Sequence, residues 1–425
     1  MYVRNLQLTD YRSWAELDLA LTPGVTVFSG PNGHGKTNIV EALGYLAHLS
    51  SHRVNSDAAL VRQGQSIAQL TATAVNNGRE LTARLALKAH GANKAHINRA
   101  AMNTPRELLG IVRTTLFSPE DLALVRGEPE QRRNFLDAIM VARYPRLAAV
   151  KADYDKALRQ RNALLRNSAF ALRMATDTPR GTTLTADNKA DAESALATLD
   201  VWDAQLAALG GQIMSARVQI VHDLSPHLSQ TYQRLAPESR PAFIGYTSTI
   251  DELLAHLGIR LGTSTPDAEP ALLSPGIAEA TLLQALADKR AQEIDRGTTL
   301  LGPHRDDMIL MLGTQPAKGF ASHGESWSFA LSLRLAAFFM QEGDGTSPII
   351  ILDDVFAELD RNRRARLVEL IKDAEQVLIT AAVDEDIPQA LRDIATIYTV
   401  EASTIDTPEG AARVSAITGK EAPEQ

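Results

Sequence analysis

The sequence contains no cysteine, which excludes a disulfide scaffold, a thiolate zinc site and a cysteine nucleophile in one step. It also lacks any run of about 18 consecutive apolar residues, the length a membrane-spanning helix needs. The N-terminal stretch MYVRNLQLTDYRSW is polar and charged where a secretory signal needs an apolar segment. These absences predict a reduced, cytoplasmic setting and no membrane. Positive charge is in deficit as well. The 43 Lys+Arg against 51 Asp+Glu give a formal net charge of -8, which taken over the whole chain argues against a surface coated for nucleic acid.

What is present can build a sizeable core: 425 residues, 44% hydrophobic and 22% charged, enough for roughly two to four domains. YVRNLQLTDY and ELDLALT alternate in polarity, and GVTVFSG is a β-branched run bracketed by glycines, so the start reads as strands. Residues 1–118 are expected to form the first part of an α/β lobe. From Pro119 to about residue 295 the composition turns helical, and apolar residues recur at spacings of three and four from Leu147 to Leu165 and from Leu196 to Ile220. A helical lobe with a short antiparallel hairpin follows, its two helices joined by a polar connection over 176–195. Residues 296–400 return to alternating strands and helices, the pattern of a parallel α/β unit. Residues 401–425 read as a flexible polar tail.

The chemistry is carried by three motifs. Gly30-Pro31-Asn32-Gly33-His34-Gly35-Lys36-Thr37 matches G-x-x-x-x-G-K-[ST], after a strand and before a helix. Its glycines let backbone N–H groups turn toward phosphate oxygens, and the helix N-terminus adds its positive dipole end. Lys36 then reaches the β/γ-phosphates and Thr37 a magnesium ion. The second motif, Ile349-Ile350-Ile351-Leu352-Asp353-Asp354, is a buried strand ending in two carboxylates that point to opposite sides. Asp353 is placed to hold the magnesium and Asp354 to orient the attacking water. The third, Ser322-His323-Gly324-Glu325-Ser326, opens a helix and makes a second anion site, best explained as serving the nucleotide of another subunit.

This order, completed by Ala357-Glu358-Leu359-Asp360, resembles the ATP-binding-cassette head of the SMC class, and within it the RecF family of bacterial recombination mediators. Family-specific features are Ser51-His52-Arg53, LFSPEDLALVRGEPEQRRNFLD from Leu116, YDKALRQRNALL from Tyr154, LDVWDAQLA from Leu199 and RGTTLLGPHRDD from Arg296. The resemblance implies an ATP-dependent homodimer with Ser322 and Gly324 as contacts in trans, Asp360 in the loop crossing the interface, and Arg12 and Ser13 approaching the nucleotide. It further implies a slow, DNA-dependent ATPase working with ATP and Mg2+ as a switch. Such a protein binds DNA at junctions of single strand and duplex, supports RecA loading with RecO and RecR, and serves replication restart and SOS induction. The chain departs from the wider pattern at His323, Ser326 and Asp354. No switch histidine stands at Ala381-Ala382, and no glutamine in Ser118-Pro119-Glu120-Asp121.

The acidic total has a local exception. Nine Lys/Arg against three Asp between Gln131 and Arg166 make a basic segment, from which Arg132, Arg133, Arg143, Arg159 and Arg161 are the candidate DNA contacts. Two other classes share parts of this pattern: a transporter ATPase subunit, where the helical insertion has no role, and a chromosome-organising SMC protein. The latter needs long arms, whereas a periodic stretch of about 25 residues spans only about 40 Å.

Overall fold

The computed structural model describes residues 1–177, 186–261, 271–345, 347–383, 386–407 and 410–422. These fall into two units: Met1–Arg126 with His227–Ser239 and Ala321–Gln425, and Gly127–Pro226 with Arg240–Phe320.

The first unit contains two six-stranded sheets. One is antiparallel, in the order Trp14–Ala20, Tyr2–Tyr11, Ile67–Asn76, Arg79–Lys88, Lys94–Ile97, Ala100–Ala101. The other runs Gly410–Glu421, Ala395–Thr407, Gly24–Ser29, Gln376–Ala381, Ile349–Asp353, Thr114–Phe117. All its pairings are parallel except the C-terminal hairpin. Because side chains alternate along a strand, Ile349 and Ile351 join a core with Leu43 and Leu70, while Ile350 and Leu352 join another with Leu335 and Leu367. A sheet covered on both faces explains why these strands read as unbroken apolar runs. By the same alternation, Asp353 lies on the side of Ile349 and Ile351, the side that carries the helix Lys36–His48.

The second unit is built on the helices Pro129–Arg143, Leu147–Asn167, Ala169–Asp177 and Pro275–Arg296, and on the helix Ala186–Leu235 as far as Pro226. It also holds a three-stranded antiparallel sheet in the order Gln315–Pro316, Asp307–Leu312, Ala242–Thr247. Leu165, Leu172, Leu199 and Ile294 form an apolar cluster.

Four expectations change. The boundaries expected after residues 118 and 295 fall instead at Arg126 and Phe320. The second shifts because DMILML pairs residue for residue with AFIGYT, Met308 opposite Tyr246 and Leu310 opposite Ile244. The expected tail 401–425 is structured over its described part: Gly410–Glu421 is a strand paired with Ala395–Thr407. Its polar composition misleads because Gly410–Glu421 is the edge strand of the sheet and exposes about every second side chain. Finally, Ala186–Leu235 is one helix of 50 residues, about 75 Å long at 1.5 Å per residue. It continues through Pro226 and through positions whose polarity hides the period. Of the connection expected over 176–195, residues 178–185 lie outside the described residues, and 186–195 belong to this helix.

Candidate functional site

The strand Gly24–Ser29 delivers the chain into the loop Gly30–Gly35, and the helix Lys36–His48 begins at once. Two glycines are required there. A Cβ on Gly30 would stand 2.2 Å from the Val400 carbonyl oxygen, and one on Gly35, at φ +99°, would stand 2.3 Å from Ser415 Oγ and 2.8 Å from Ser13 Oγ. Lys36 is 3% exposed. Its ammonium donates to the carbonyls of Gly30 (2.6 Å) and Pro31 (3.1 Å) and to Asn32 Oδ1 (3.4 Å). Burial lowers its pKa, against the attraction of Asp354 and Asp353.

Thr37 donates its hydroxyl to Asp353 Oδ1 at 2.8 Å, across 316 residues of sequence. Thr380, on the neighbouring strand, donates to the same oxygen at 2.7 Å. Burial raises the Asp353 carboxyl above its ordinary range, while the two threonine hydroxyls pull it back. Asp354 follows in the left-handed region, φ 52°, and its N–H donates to Thr380 Oγ1 at 2.9 Å. A non-glycine residue held there is strained backbone at the point where the second carboxylate must leave the strand.

The structure thus brings Lys36, Thr37, Asp353 and Asp354 together. The donor set is oxygen only, a hydroxyl and a carboxylate in contact, and suits magnesium, which takes one or two protein oxygens and completes its shell with phosphate and water. Among the described residues no group of three or more His, Asp or Glu could cage a metal ion, and none is needed for that mode of binding.

One neighbour escaped the sequence reading. Among the described residues His52 Nε2 is buried without a hydrogen-bond partner, and it lies 3.9 Å from Asp353 Oδ2. Its signal was the Ser51-His52-Arg53 segment, which gave no hint that the ring turns toward the strand of Asp353.

Arg12 and Ser13 sit beside the loop, and neither is a free donor. Arg12 grips Glu41 with two nitrogens (3.0 and 2.6 Å) and donates to Ala59 O at 3.1 Å. Burial pushes the Glu41 carboxyl up, but hydrogen bonds from Arg12 and Ser51 hold it below the ordinary range. Arg12 therefore anchors the loop's helix. Ser13 Oγ accepts from Asn38 Nδ2 at 2.8 Å and meets Ser415 Oγ at 2.7 Å.

Ser322 and Glu325 cap the helix His323–Gly343 reciprocally. Asp360 caps the helix Arg361–Ile371 and pairs with Arg363 at 2.8 Å. Gly324 faces that same guanidinium, since a Cβ there would stand 2.6 Å from Arg363 Nη1. Gly324 and Asp360 are thus joined through Arg363. The hydrogen bonds of Ser322 and Asp360 stay within their own helices and do not reach the phosphate loop.

In the second unit the candidate DNA contacts divide. Arg161 is fully buried, bound to Asp203 (2.6 Å), Glu293 (2.7 Å) and Thr299 (2.8 Å). Arg132 is 5% exposed and bidentate to Asp307, both bonds 2.8 Å. Neither can face a polyanion, which corrects the expectation for both. Arg133 donates to Asp306 O, and Arg143 pairs with Asp223. Arg159 is exposed, as are Arg146, Lys156 and Arg166. Asp203, Asp223, Glu293 and Asp307 neutralise much of the positive excess of Gln131–Arg166 from outside that segment.

The chain matches the family model of RecF/RecN/SMC N-terminal domains over residues 2–406. It is 77% identical, over 403 residues, to the DNA replication and repair protein RecF of Corynebacterium jeikeium (strain K411), covering 94% of this chain and 95% of that one. The chain belongs to the RecF family. The RecF of Rhodococcus erythropolis is 52% identical over 422 residues, covering 98% of this chain and 97% of that protein. Among solved structures, the recombination mediator RecF-ATP of the RecFOR pathway aligns with a TM-score of 0.78 at 21% identity, covering 98% of each chain. An Smc head domain from Pyrococcus furiosus aligns at 0.51 and 16% identity, covering 98% of this chain and 96% of that one. At these identities the structures speak for the fold, an α/β head of the SMC-type ATP-binding-cassette class. RecF-family membership makes the chain one of the SMC-type ATPases. Among the described residues no helix is long and apolar enough to cross a membrane.

Proposed function

We propose that this protein is an ATP-switched mediator of DNA repair and recombination. The convergence of Lys36, Thr37, Asp353 and Asp354, drawn from segments more than 300 residues apart, carries the reading. Lys36 and the loop N–H groups hold the nucleotide phosphates, and Thr37 and Asp353 hold magnesium. When bound, the metal neutralises phosphate charge. Asp354 orients the attacking water, and its short side chain suits slow, DNA-stimulated turnover.

Ser322, Gly324 and Asp360 serve the partner copy's nucleotide, so that ATP binding pairs two heads and hydrolysis releases them. DNA at junctions of single strand and duplex is held on the exposed face of the helix Leu147–Asn167. Lys156, Arg159 and Arg166 recur there at helical spacing. The names of the relatives, and the RecFOR pathway of the similar structures, support a role in DNA replication, repair and recombination mediation; within this proposal the protein acts with RecO and RecR in loading RecA, and with it in replication restart and SOS induction.

The test is a salt series of DNA binding, with and without ATP, on gapped, duplex and single-stranded DNA. ATP-dependent preference for the gap is expected. Replacing Lys156, Arg159 and Arg166 by alanine together flattens the salt slope by up to about 3, near 0.9 per lost duplex phosphate contact. Binding that ignores both ATP and DNA structure overturns the reading.

A further inference from the structure

The C-terminal hairpin reaches the phosphate loop. Three consecutive loop carbonyls each accept a hydrogen bond from a side chain outside the loop: Gly33 O from Arg413 Nη1 (3.0 Å), His34 O from Ser415 Oγ (2.7 Å) and Gly35 O from Trp14 Nε1 (3.1 Å). Ala402 N–H donates to His34 Nδ1 at 3.3 Å, and Ser415 N–H to Ser13 O at 2.9 Å. Two of the three carbonyl donors come from the strand Gly410–Glu421.

The direction of these bonds matters. In a trans peptide the carbonyl and the following N–H point opposite ways, so tying the His34 and Gly35 carbonyls to one side turns the N–H groups of Gly35 and Lys36 to the other. A loop that binds phosphate through N–H groups needs that orientation fixed beforehand.

Ser415 Oγ has one proton and two acceptors in reach, His34 O and Ser13 Oγ, both at 2.7 Å, so the two serines share one hydroxyl network at the loop carbonyl. Ser13 in turn accepts from the Asn38 amide at 2.8 Å. Asn38, Ser13 and Ser415 thus form a relay that ends on the loop carbonyl. Ser415 is 4% exposed, and a hydroxyl buried so far needs such partners.

We propose that the strand Gly410–Glu421 is a positioning element of the nucleotide site, in which Ser415 holds the His34 carbonyl outward so that the following Gly35 N–H is set for phosphate, while Arg413, on the Gly33 carbonyl, steadies the turn that His34 N–H closes on Pro31 O. The role rests on the nucleotide assignment made above.

Titration with ATP and with ADP in the presence of magnesium tests it. Ser415→Ala weakens both nucleotides about 10-fold, the worth of one well-placed hydrogen bond, and the loss falls on KM for ATP rather than on kcat. Ser13→Ala costs a similar factor. The double variant costs little more than either single one, because both break the same relay. Arg413→Ala, at an exposed position, costs about 3-fold.

Wild-type affinity in Ser415→Ala, or full additivity with Ser13→Ala, overturns the proposal. Should Ser415→Ala unfold, Arg413→Ala decides: a loss supports the role and no change refutes it. Lys36→Ala separates the two levels. If it binds ATP normally the nucleotide site itself is wrong. If it fails while Ser415→Ala and Arg413→Ala bind normally, only the role of the strand is lost.

Discussion

The phosphate-loop cluster of the first unit and the ion pairs of the second use buried polar groups in opposite ways. In the first, Lys36, Asp353 and His52 are buried side by side without a hydrogen bond to one another: the lysine rests on loop carbonyls, the aspartate on threonine hydroxyls, and the imidazole Nε2, 3.9 Å from Asp353 Oδ2, has no hydrogen-bond partner among the described residues. In the second, charge is closed off. Arg161 is sealed against Asp203 and Glu293, Arg217 against Asp137, and Arg132 against Asp307. Incompletely satisfied charge is a reserve of binding capacity, whereas fully paired charge fixes a shape. The same residue types therefore announce a site in one unit and a scaffold in the other.

The comparison is broken most directly by Lys36→Ala. ATP binding is expected to fall by more than about 100-fold, as befits a lost charge-assisted contact, with little change in stability; nucleotide titration beside a denaturant melt measures both. The mirror experiment is Arg161→Ala, which leaves two buried carboxylates without their cation and costs about 3–5 kcal/mol of stability. Urea unfolding reads the loss, and ATP affinity measured while the variant is still folded should stay near wild type. Were Arg161→Ala to leave stability unchanged, the scaffold half of the comparison would fall.

The site half is legible in the sequence because its parts are contiguous. Gly30–Thr37 and Ile349–Asp354 each keep their chemistry within eight residues, and the strand and helix around them follow from local apolar patterns. The scaffold half is not. Arg161 meets Asp203 and Glu293, 42 and 132 positions away, and nothing local tells a buried arginine from a solvated one. The hairpin fails for another reason. Ser415 is buried with its hydroxyl bonded to His34 O and Ser13 Oγ, so the strand carries a polar residue where the alternating pattern calls for an apolar one.

A finer cut within the site is Asp354→Asn. Turnover is expected to drop about 100-fold, the low end for a group acting on the attacking nucleophile, while ATP is bound and the paired heads persist longer. A single-turnover assay with sedimentation shows both, and normal turnover would remove Asp354 from the chemistry.

A pH-dependent effect belongs to His304 in the second unit. Its Nδ1 accepts from Tyr154 OH at 2.7 Å, and burial lowers its pKa to about 4. The folded state therefore keeps this imidazole neutral where the unfolded chain, with a pKa near 6.5, takes up a proton. Unfolding binds protons between those values, so stability is full above about pH 6.5 and declines toward pH 4, by at most about 1.4 kcal/mol per pH unit. Denaturant midpoints across that window should slope accordingly, and His304→Gln should flatten the slope.

The order of strands in the parallel sheet sets a clock on synthesis. Gly24–Ser29, which delivers the phosphate loop, pairs on one side with Gln376–Ala381 and on the other with Ala395–Thr407. Neither neighbour exists when the loop leaves the ribosome. At roughly 5–20 residues per second, an interval of roughly 20–70 s separates the strand from its partners. Throughout that time an apolar strand with two open edges must be kept from foreign pairing. The nascent chain cannot complete this sheet around the strand Gly24–Ser29 before residues 395–399 are made.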